Sequence, residues 1–374
     1  MIYLDCNATT PVDREVADAM AACLRDVFGN PSSSHLEGRK ARAAVEKARE
    51  DLAALLGCHP EEICFTSGGT ESNNLAVLGT ALKRGGGHVI TSQIEHPSIT
   101  NTMKRLQALG FEVTFLPVDG LCRVSAGDVE GAIREDTVLI SIMHSNNETG
   151  TLQPVEEIYS VARGRGIPFH TDAAQSVGKV PVDAGAADMI TIAGHKFYGP
   201  KGIGALFVRR GFEPSPIMYG AGHERGLRPG TENVPGIAGL GKAAEAARRD
   251  LEGRVEGAWK LRRLFLYPLA ATLPGLHLNG HPELTLPGTL NLCLPGTVSS
   301  DVVAALGERV ALSAGSACHE GVNAPSHVLK AMGLSDGDAI ASLRVSIGKD
   351  NTEEEIRAAA GMLSETVSRR ARRP

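Results

Sequence analysis

Lys196 sits in a setting unusual for a lysine. It follows His195 in the run Gly-His-Lys-Phe-Tyr-Gly-Pro-Lys-Gly over 194–202. Most lysines are solvated surface charges, but apolar and Gly-rich flanks favour burial. Burial lowers a lysine pKa toward the nucleophilic free amine. Two other segments hold complementary chemistry. Asp172 carries a carboxylate that can pair with a protonated ring nitrogen. The turn Ser67-Gly68-Gly69 leads directly into a helical pattern from Thr70, and free backbone N–H groups at a helix start make an anion site. By itself such a turn is equally a plain tight turn. It is neither a Walker loop, since no Gly-Lys-Ser/Thr follows, nor a GxGxxG fingerprint.

The elements around these residues repeat one pattern. Strand candidates fall at Ile63–Thr66, His88–Ser92, Glu112–Leu116, Val138–Met143, Ile167–His170, Met189–Ala193 and Gly204–Val208. Helical segments separate many of them, at about 70–83, 97–109 and 154–163. Continuous apolar strands alternating with helices imply an α/β fold, with a mostly parallel sheet covered on both faces. In such sheets ligands bind beyond the carboxyl ends of the strands. Five of those ends carry polar groups: the 67–72 turn, Glu95-His96-Pro97, the stretch 144–150 containing Asn147, Asp172 with Gln175, and His195 with Lys196. A phosphate site, a lysine and an aspartate on adjacent strand ends are the groups that pyridoxal 5'-phosphate (PLP) requires.

After Pro235 the pattern changes. Residues 237–273 are rich in Ala, Leu, Arg and Glu and predict one or two long helices. Shorter elements follow, punctuated by Pro-Gly at 274–275, 287–288 and 295–296. The expectation is a large PLP-binding domain over 15–255. A smaller α+β domain would comprise 1–14 and 256–374, ending in an amphipathic helix over 352–367 that Thr352 and Glu355 cap. The length of 374 residues favours two domains.

Bulk properties exclude several classes. Lys plus Arg total 38 against 43 for Asp plus Glu, a net charge of −5, which gives no support for nucleic-acid or acidic-membrane binding. The basic run 369–373 reads as a solvated tail. No apolar run approaches the ~20 residues of a membrane span, and the N-terminal stretch lacks the pattern of a signal peptide. The seven cysteines are scattered with no CxxC pair, so neither a disulfide framework nor a zinc cluster is suggested. His223-Glu224-Arg225-Gly226 is not HExxH, and no metal site is expected. The chain reads as cytoplasmic.

Ten ordered runs resemble one family over nearly the whole length: LDCNATTP, FGNPSS, FTSGGTESNN, EHPS, NNETG, HTDAAQ, GHKFYGPKG, HERGLRPGTEN, SAGSACHEG and LRVSIG. They are similar to the cysteine desulfurase and selenocysteine lyase branch of the class V, fold-type I PLP enzymes. The resemblance implies a seven-stranded sheet and makes Lys196 the Schiff-base lysine. Asp172 would pair with the pyridine nitrogen, and Gln175 would contact the ring hydroxyl. His96 would stack on the ring and move protons. Gly69, Thr70 and His195 would hold the phosphate, and Thr231 would reach the phosphate of a second subunit in a homodimer. Asn147 and Arg344 would bind the substrate carboxylate, Arg344 through a bidentate pair.

Cys318 would attack the chalcogen of L-cysteine or L-selenocysteine, leaving alanine and a persulfide or perselenide. Gly315, Ser316, Gly321 and Asn323 surround it in what reads as a mobile, exposed loop. Six residues separate it from Pro325-Ser326, a spacing that resembles the long-loop subgroup that passes sulfur to an acceptor protein, for iron–sulfur clusters or thiolation. Two positions depart from the desulfurase pattern. Ala193 stands where many desulfurases have a phosphate-binding serine, a loss of roughly 1.5–3 kcal/mol for one such bond. His319 stands where a small hydroxyl residue is common. Both lean toward a selenocysteine lyase, and a PLP-binding scaffold without turnover is the reading from another class.

Overall fold

The computed structural model describes residues 1–314, 317–319 and 322–371; side chains of 317–319, 322–323 and 370–371 lie outside the described set. Its centre is a seven-stranded sheet. The strands are β1 (Ile63–Thr66), β2 (His88–Ser92), β3 (Glu112–Leu116), β4 (Thr137–Ser141), β5 (Phe169–Asp172), β6 (Met189–Ala193) and β7 (Gly204–Val208). They lie in the order β1-β7-β6-β5-β4-β2-β3. Only β7 runs antiparallel to its neighbours, so the other six strands end on one side. β1, β2, β5, β6 and β7 are buried along their whole length, as expected of strands covered on both faces. The α/β class and the mostly parallel sheet are those expected from the sequence.

Two strands differ in their bounds, and each difference matters for the site. Val138–Met143 reads as one apolar run, yet β4 ends at Ser141. Past it, the Met143 amide donates to Glu95 Oε1 at 2.9 Å instead of to a ladder partner. Ile167–His170 reads as the next strand, but β5 starts after Pro168, which has no N–H to offer a ladder. β5 instead runs through the polar Thr171 and Asp172, which pair with Ile190 and Thr191 of β6. Asp172 is therefore the last residue of a central strand and not part of a loop.

The first 60 residues hold two helices that the alternating pattern did not reveal, α1 (Arg14–Asp26) and α2 (Leu36–Leu56). Helix α3 (Gly69–Arg84) follows β1 and α4 (Pro97–Ala108) follows β2. One continuous helix of 39 residues, α5 (Val234–Thr272), takes the place of the predicted one or two. Its first half gives Ile237, Leu240 and Ala244 to the core beneath the large sheet. Its second half gives Leu261, Phe265 and Leu269 to a separate core with Leu4, Leu290, Leu343 and Leu363. That second core underlies a four-stranded antiparallel sheet made of Ser313–Ala314, Ser342–Ser346, Thr289–Cys293 and His277–Asn279. The chain's start adds Leu4 to that core and forms a separate two-stranded parallel sheet, Ile2–Tyr3 with Val310–Ala311. The last helix, Glu353–Ala371, has the expected capping box: Glu355 N donates to Thr352 Oγ1 and Thr352 N to Glu355 Oε2, both at 3.2 Å.

Helix α5 crosses α2 at very close range. A Cβ added at Gly241 would lie 2.4 Å from Ala48 Cα, whereas Gly257, further along α5, faces open space. Gly241→Ala should therefore destabilise the protein by about 1–3 kcal/mol through overpacking. Gly257→Ala should stabilise it by about 0.5–1 kcal/mol through helix propensity. Denaturant unfolding of both variants checks the pair; equal shifts would contradict the close helix crossing.

Candidate active site

The aligned strand ends enclose a cavity of about 200 Å³. On its β1 side, Gly68 adopts φ 150°, and α3 begins at Gly69 with its amides unpaired at the helix start. Strand β6 closes this side: a Cβ at Gly69 would lie 3.4 Å from Ala193 Cβ, an ordinary van der Waals contact. Gly69, Thr70 and Ala193 all line the cavity, and His195 joins them, its Nδ1 3.1 Å from Thr9 Oγ1. This corner offers hydrogen-bond donors at a helix N-terminus, a setting suited to phosphate.

Asp172 reaches the cavity from the centre of the sheet. Its Oδ1 accepts from Ala174 N at 2.9 Å and its Oδ2 from Asn73 Nδ2 at 2.7 Å. The residue is 7% exposed, and among the described residues no lysine or arginine lies within ion-pair distance of it. A buried carboxylate with amide donors and no cation suits a protonated ring nitrogen. Asn73 also donates to Ser98 Oγ at 2.8 Å, and that hydroxyl lies 2.8 Å from His96 Nδ1. His96 caps α4, accepting from Ser98 N at 3.1 Å. Burial lowers the His96 pKa, Lys196 and His327 lower it further, and only Asp172 opposes them. Its ring is thus held neutral near pH 7, with Nδ1 occupied.

Lys196 ends a short turn, Gly194–Lys196, directly after β6. Its Nζ donates to the carbonyls of Asn7 at 2.7 Å and Ala8 at 2.9 Å. Burial pushes its pKa down to about 8, with Arg344 adding to that shift and Asp172 and Asp5 opposing it. A neutral amine has two N–H bonds, the number these carbonyls accept, which leaves the nitrogen lone pair for the cavity. Gln175 lines the cavity as well and donates to Asn7 O at 3.0 Å.

Asn147 lines the cavity too, on the β4 side. Its carbonyl accepts from Arg344 Nη1 at 3.1 Å, which brings the strand Ser342–Ser346 of the second sheet to the site. Arg344 also meets Asp5 at 2.8 Å and Ser313 Oγ at 3.0 Å, while its buried Nε has no partner. Thr231 is exposed and lies outside the cavity lining. The loop before it is stapled to β1 by a buried pair, Arg49 Nη2 to Glu224 Oε1 at 2.8 Å, with Glu224 Oε2 accepting from Phe65 N at 2.8 Å. The backbone of Cys318 lies in a two-stranded hairpin, Ala317–His319 against Val322–Ala324. The side chains of Cys318 and His319, and Gly315, Ser316 and Gly321 entirely, lie outside the described residues.

Sequence reasoning missed Asn7, Asn73 and Ser98. Asn73 had a legible signal, since it lies one helical turn beyond Gly69 and Thr70 and so shares their face. Asn7 had none: its carbonyl meets Lys196 across 189 residues of chain.

The aminotransferase class-V family matches residues 2–358 of this chain. The chain belongs to that family. It is similar to a cysteine desulfurase IscS of Dictyoglomus turgidum, at 42% identity over 98% of this chain and 95% of that protein. A solved NifS-like protein superposes with TM-score 0.92 at 38% identity, covering 98% of this chain and 99% of that one. A structure described as SspA in complex with cysteine gives TM-score 0.82 at 40% identity, over 94% and 100% of the two chains. Class V aminotransferases depend on PLP. The cavity here fits that group: an anion-binding helix start, a buried carboxylate without a cation and a lysine amine of lowered pKa face one space.

Asn73→Ala removes one of the two hydrogen bonds that orient the Asp172 carboxylate. A hydrogen bond to a charged group contributes roughly 1.5–3 kcal/mol, so PLP affinity should fall about tenfold or more. Titration of the apoprotein with PLP measures this, and an unchanged affinity would show that Asp172 needs no clamp.

Proposed function

We propose that this protein is a PLP-dependent cysteine desulfurase: it converts L-cysteine to L-alanine and leaves the sulfur as a persulfide on Cys318. The observation that carries the proposal is the single cavity that holds Lys196, Asp172, His96 and Gln175 beside a helix start, in a chain whose full-length relatives are named cysteine desulfurases.

Bound PLP draws electrons from the substrate α-carbon and so makes its proton removable. Lys196 holds the cofactor and, as a neutral amine, is the base next to that proton. Asp172 would stabilise a positive charge on the ring nitrogen, and Gln175 would donate to the ring oxygen. His96 would lie against the bound ring and move protons through Nε2, its Nδ1 being engaged by Ser98. Gly69, Thr70 and His195 bind the phosphate. Arg344 and Asn147 receive the substrate carboxylate, for which Asp5 and Ser313 pre-orient the guanidinium. The Cys318 thiolate then attacks the substrate sulfur. An S–S bond forms as the Cβ–S bond breaks, and its electron pair goes to the substrate carbons, which take up protons to become alanine.

In this reading residues 15–255 form the PLP-binding domain, and 1–14 with 256–374 form a smaller domain carrying the cysteine loop. The enzyme acts in the cytoplasm as a homodimer in which Thr231 reaches the neighbouring subunit's phosphate. An acceptor protein takes the persulfide sulfur, for iron–sulfur cluster assembly or thiolation. Among the described residues no helix is long and apolar enough to cross a membrane. One observation favours a second reading, selenocysteine lyase: the phosphate corner contains Ala193, whose methyl cannot hydrogen-bond.

Alanine and sulfide release from L-cysteine, measured beside alanine and selenide release from L-selenocysteine, tests the proposal. Turnover of L-cysteine is expected; negligible turnover beside rapid selenocysteine cleavage would select the second reading. Cys318→Ala should keep the cofactor's visible absorption band yet lose sulfur release, and full activity there would refute the persulfide route. Lys196→Ala should lose that band, and an unchanged spectrum would contradict the lysine assignment.

A further inference from the structure

Lys179 is a half-buried amine that the chemistry above leaves unused. It lies between the cavity lined by Gln175 and a second cavity of about 630 Å³ that Lys179 itself lines. Its Nζ donates to Gln175 Oε1 at 3.0 Å and to Asn7 Oδ1 at 2.9 Å. Among the described residues no carboxylate lies within ion-pair distance of it, so amide oxygens are its partners. Burial pushes its pKa down to about 7, with Lys196 nearby adding to the effect. Even the neutral amine keeps two N–H bonds, the number these contacts use.

These contacts dictate how two amides are turned. Gln175 presents its oxygen to Lys179, which sets its nitrogen on the opposite side. There Nε2 gives one N–H to the Asn7 carbonyl at 3.0 Å and has the other for the cavity. Rotation of the amide by half a turn would set N–H against N–H at Lys179 and oxygen against oxygen at Asn7. Asn7 is fixed likewise: with Oδ1 on Lys179, its Nδ2 donates to Asn147 O at 3.2 Å and Thr289 Oγ1 at 3.0 Å. The carbonyl of the same Asn7 accepts from Lys196 at 2.7 Å.

We infer that Lys179 is a positioning residue: it fixes the amide of Gln175 so that a donor, never an acceptor, faces the ring oxygen of bound PLP. The inference rests on the reading of Gln175 as the ring contact, and the experiment separates the two. Holoenzymes of K179M, Q175A and the double variant are compared by the pH midpoint of the cofactor's visible absorption change and by PLP affinity. Q175A should raise the midpoint and weaken PLP by about tenfold. K179M should shift both in the same direction, and the double variant should differ from Q175A by no more than about twofold. K179R, which keeps N–H donors, should return the midpoint toward the original. If K179M does not fold, K179Q is read against the same criteria. A K179M enzyme unchanged in both readouts while Q175A moves them would overturn the positioning role, as would effects that multiply in the double variant. If Q175A itself moves neither, the ring-contact reading falls and the inference falls with it.

Discussion

The contact between the Lys196 amine and the carbonyls of Asn7 and Ala8 governs how the rest of the site is built. A lysine at a strand end is solvated by default, with a pKa near 10.5. Here the N-terminal segment folds over it, removes water and accepts its two N–H bonds. Burial then favours the free amine. The same segment can cover Lys196 because both of its neighbours hold it. Ile2–Tyr3 pairs with Val310–Ala311 in a two-stranded sheet of its own, and the Asn7 amide donates to Ser346 Oγ at 2.9 Å.

This constraint explains why the two cores are joined as they are. The large sheet supplies the cavity-lining groups from its strand ends, whereas Arg344 and the backbone of Cys318 come from the elements beyond residue 310. Helix α5 contributes to both cores without a break. Asp5 pairs with Arg344 two residues before Asn7 meets Lys196, so one short stretch of chain touches both residues.

Much of this was legible in the sequence because it is local. Apolar runs marked the strands, and β1, β2, β3, β6 and β7 have the expected bounds. Polar residues just beyond strand ends marked the cavity. Asp172 lines the cavity as expected but ends its strand instead of following it, since polar Thr171 and Asp172 look like a loop until β6 pairs with them. Helices α1 and α2 went unread because no strand alternates with them; their burial is against the distant α5. Asn7 and Lys179 were invisible for a stronger reason. Their parts depend on hydrogen bonds across more than 170 residues, and no spacing in a single sequence encodes such a meeting.

The central claim is that burial holds Lys196 as a reactive amine at near-neutral pH. Its most direct test is the rate at which apoprotein captures PLP, followed by the visible band, as a function of pH. Because the buried amine's pKa is lowered, it is protonated and unreactive well below pH 8 and free above it. The rate constant should therefore rise through a midpoint near the pKa of about 8 and then level off. A rate still climbing toward the ordinary lysine value of 10.5 would mean that Lys196 is not desolvated by the Asn7 segment, and would contradict the account.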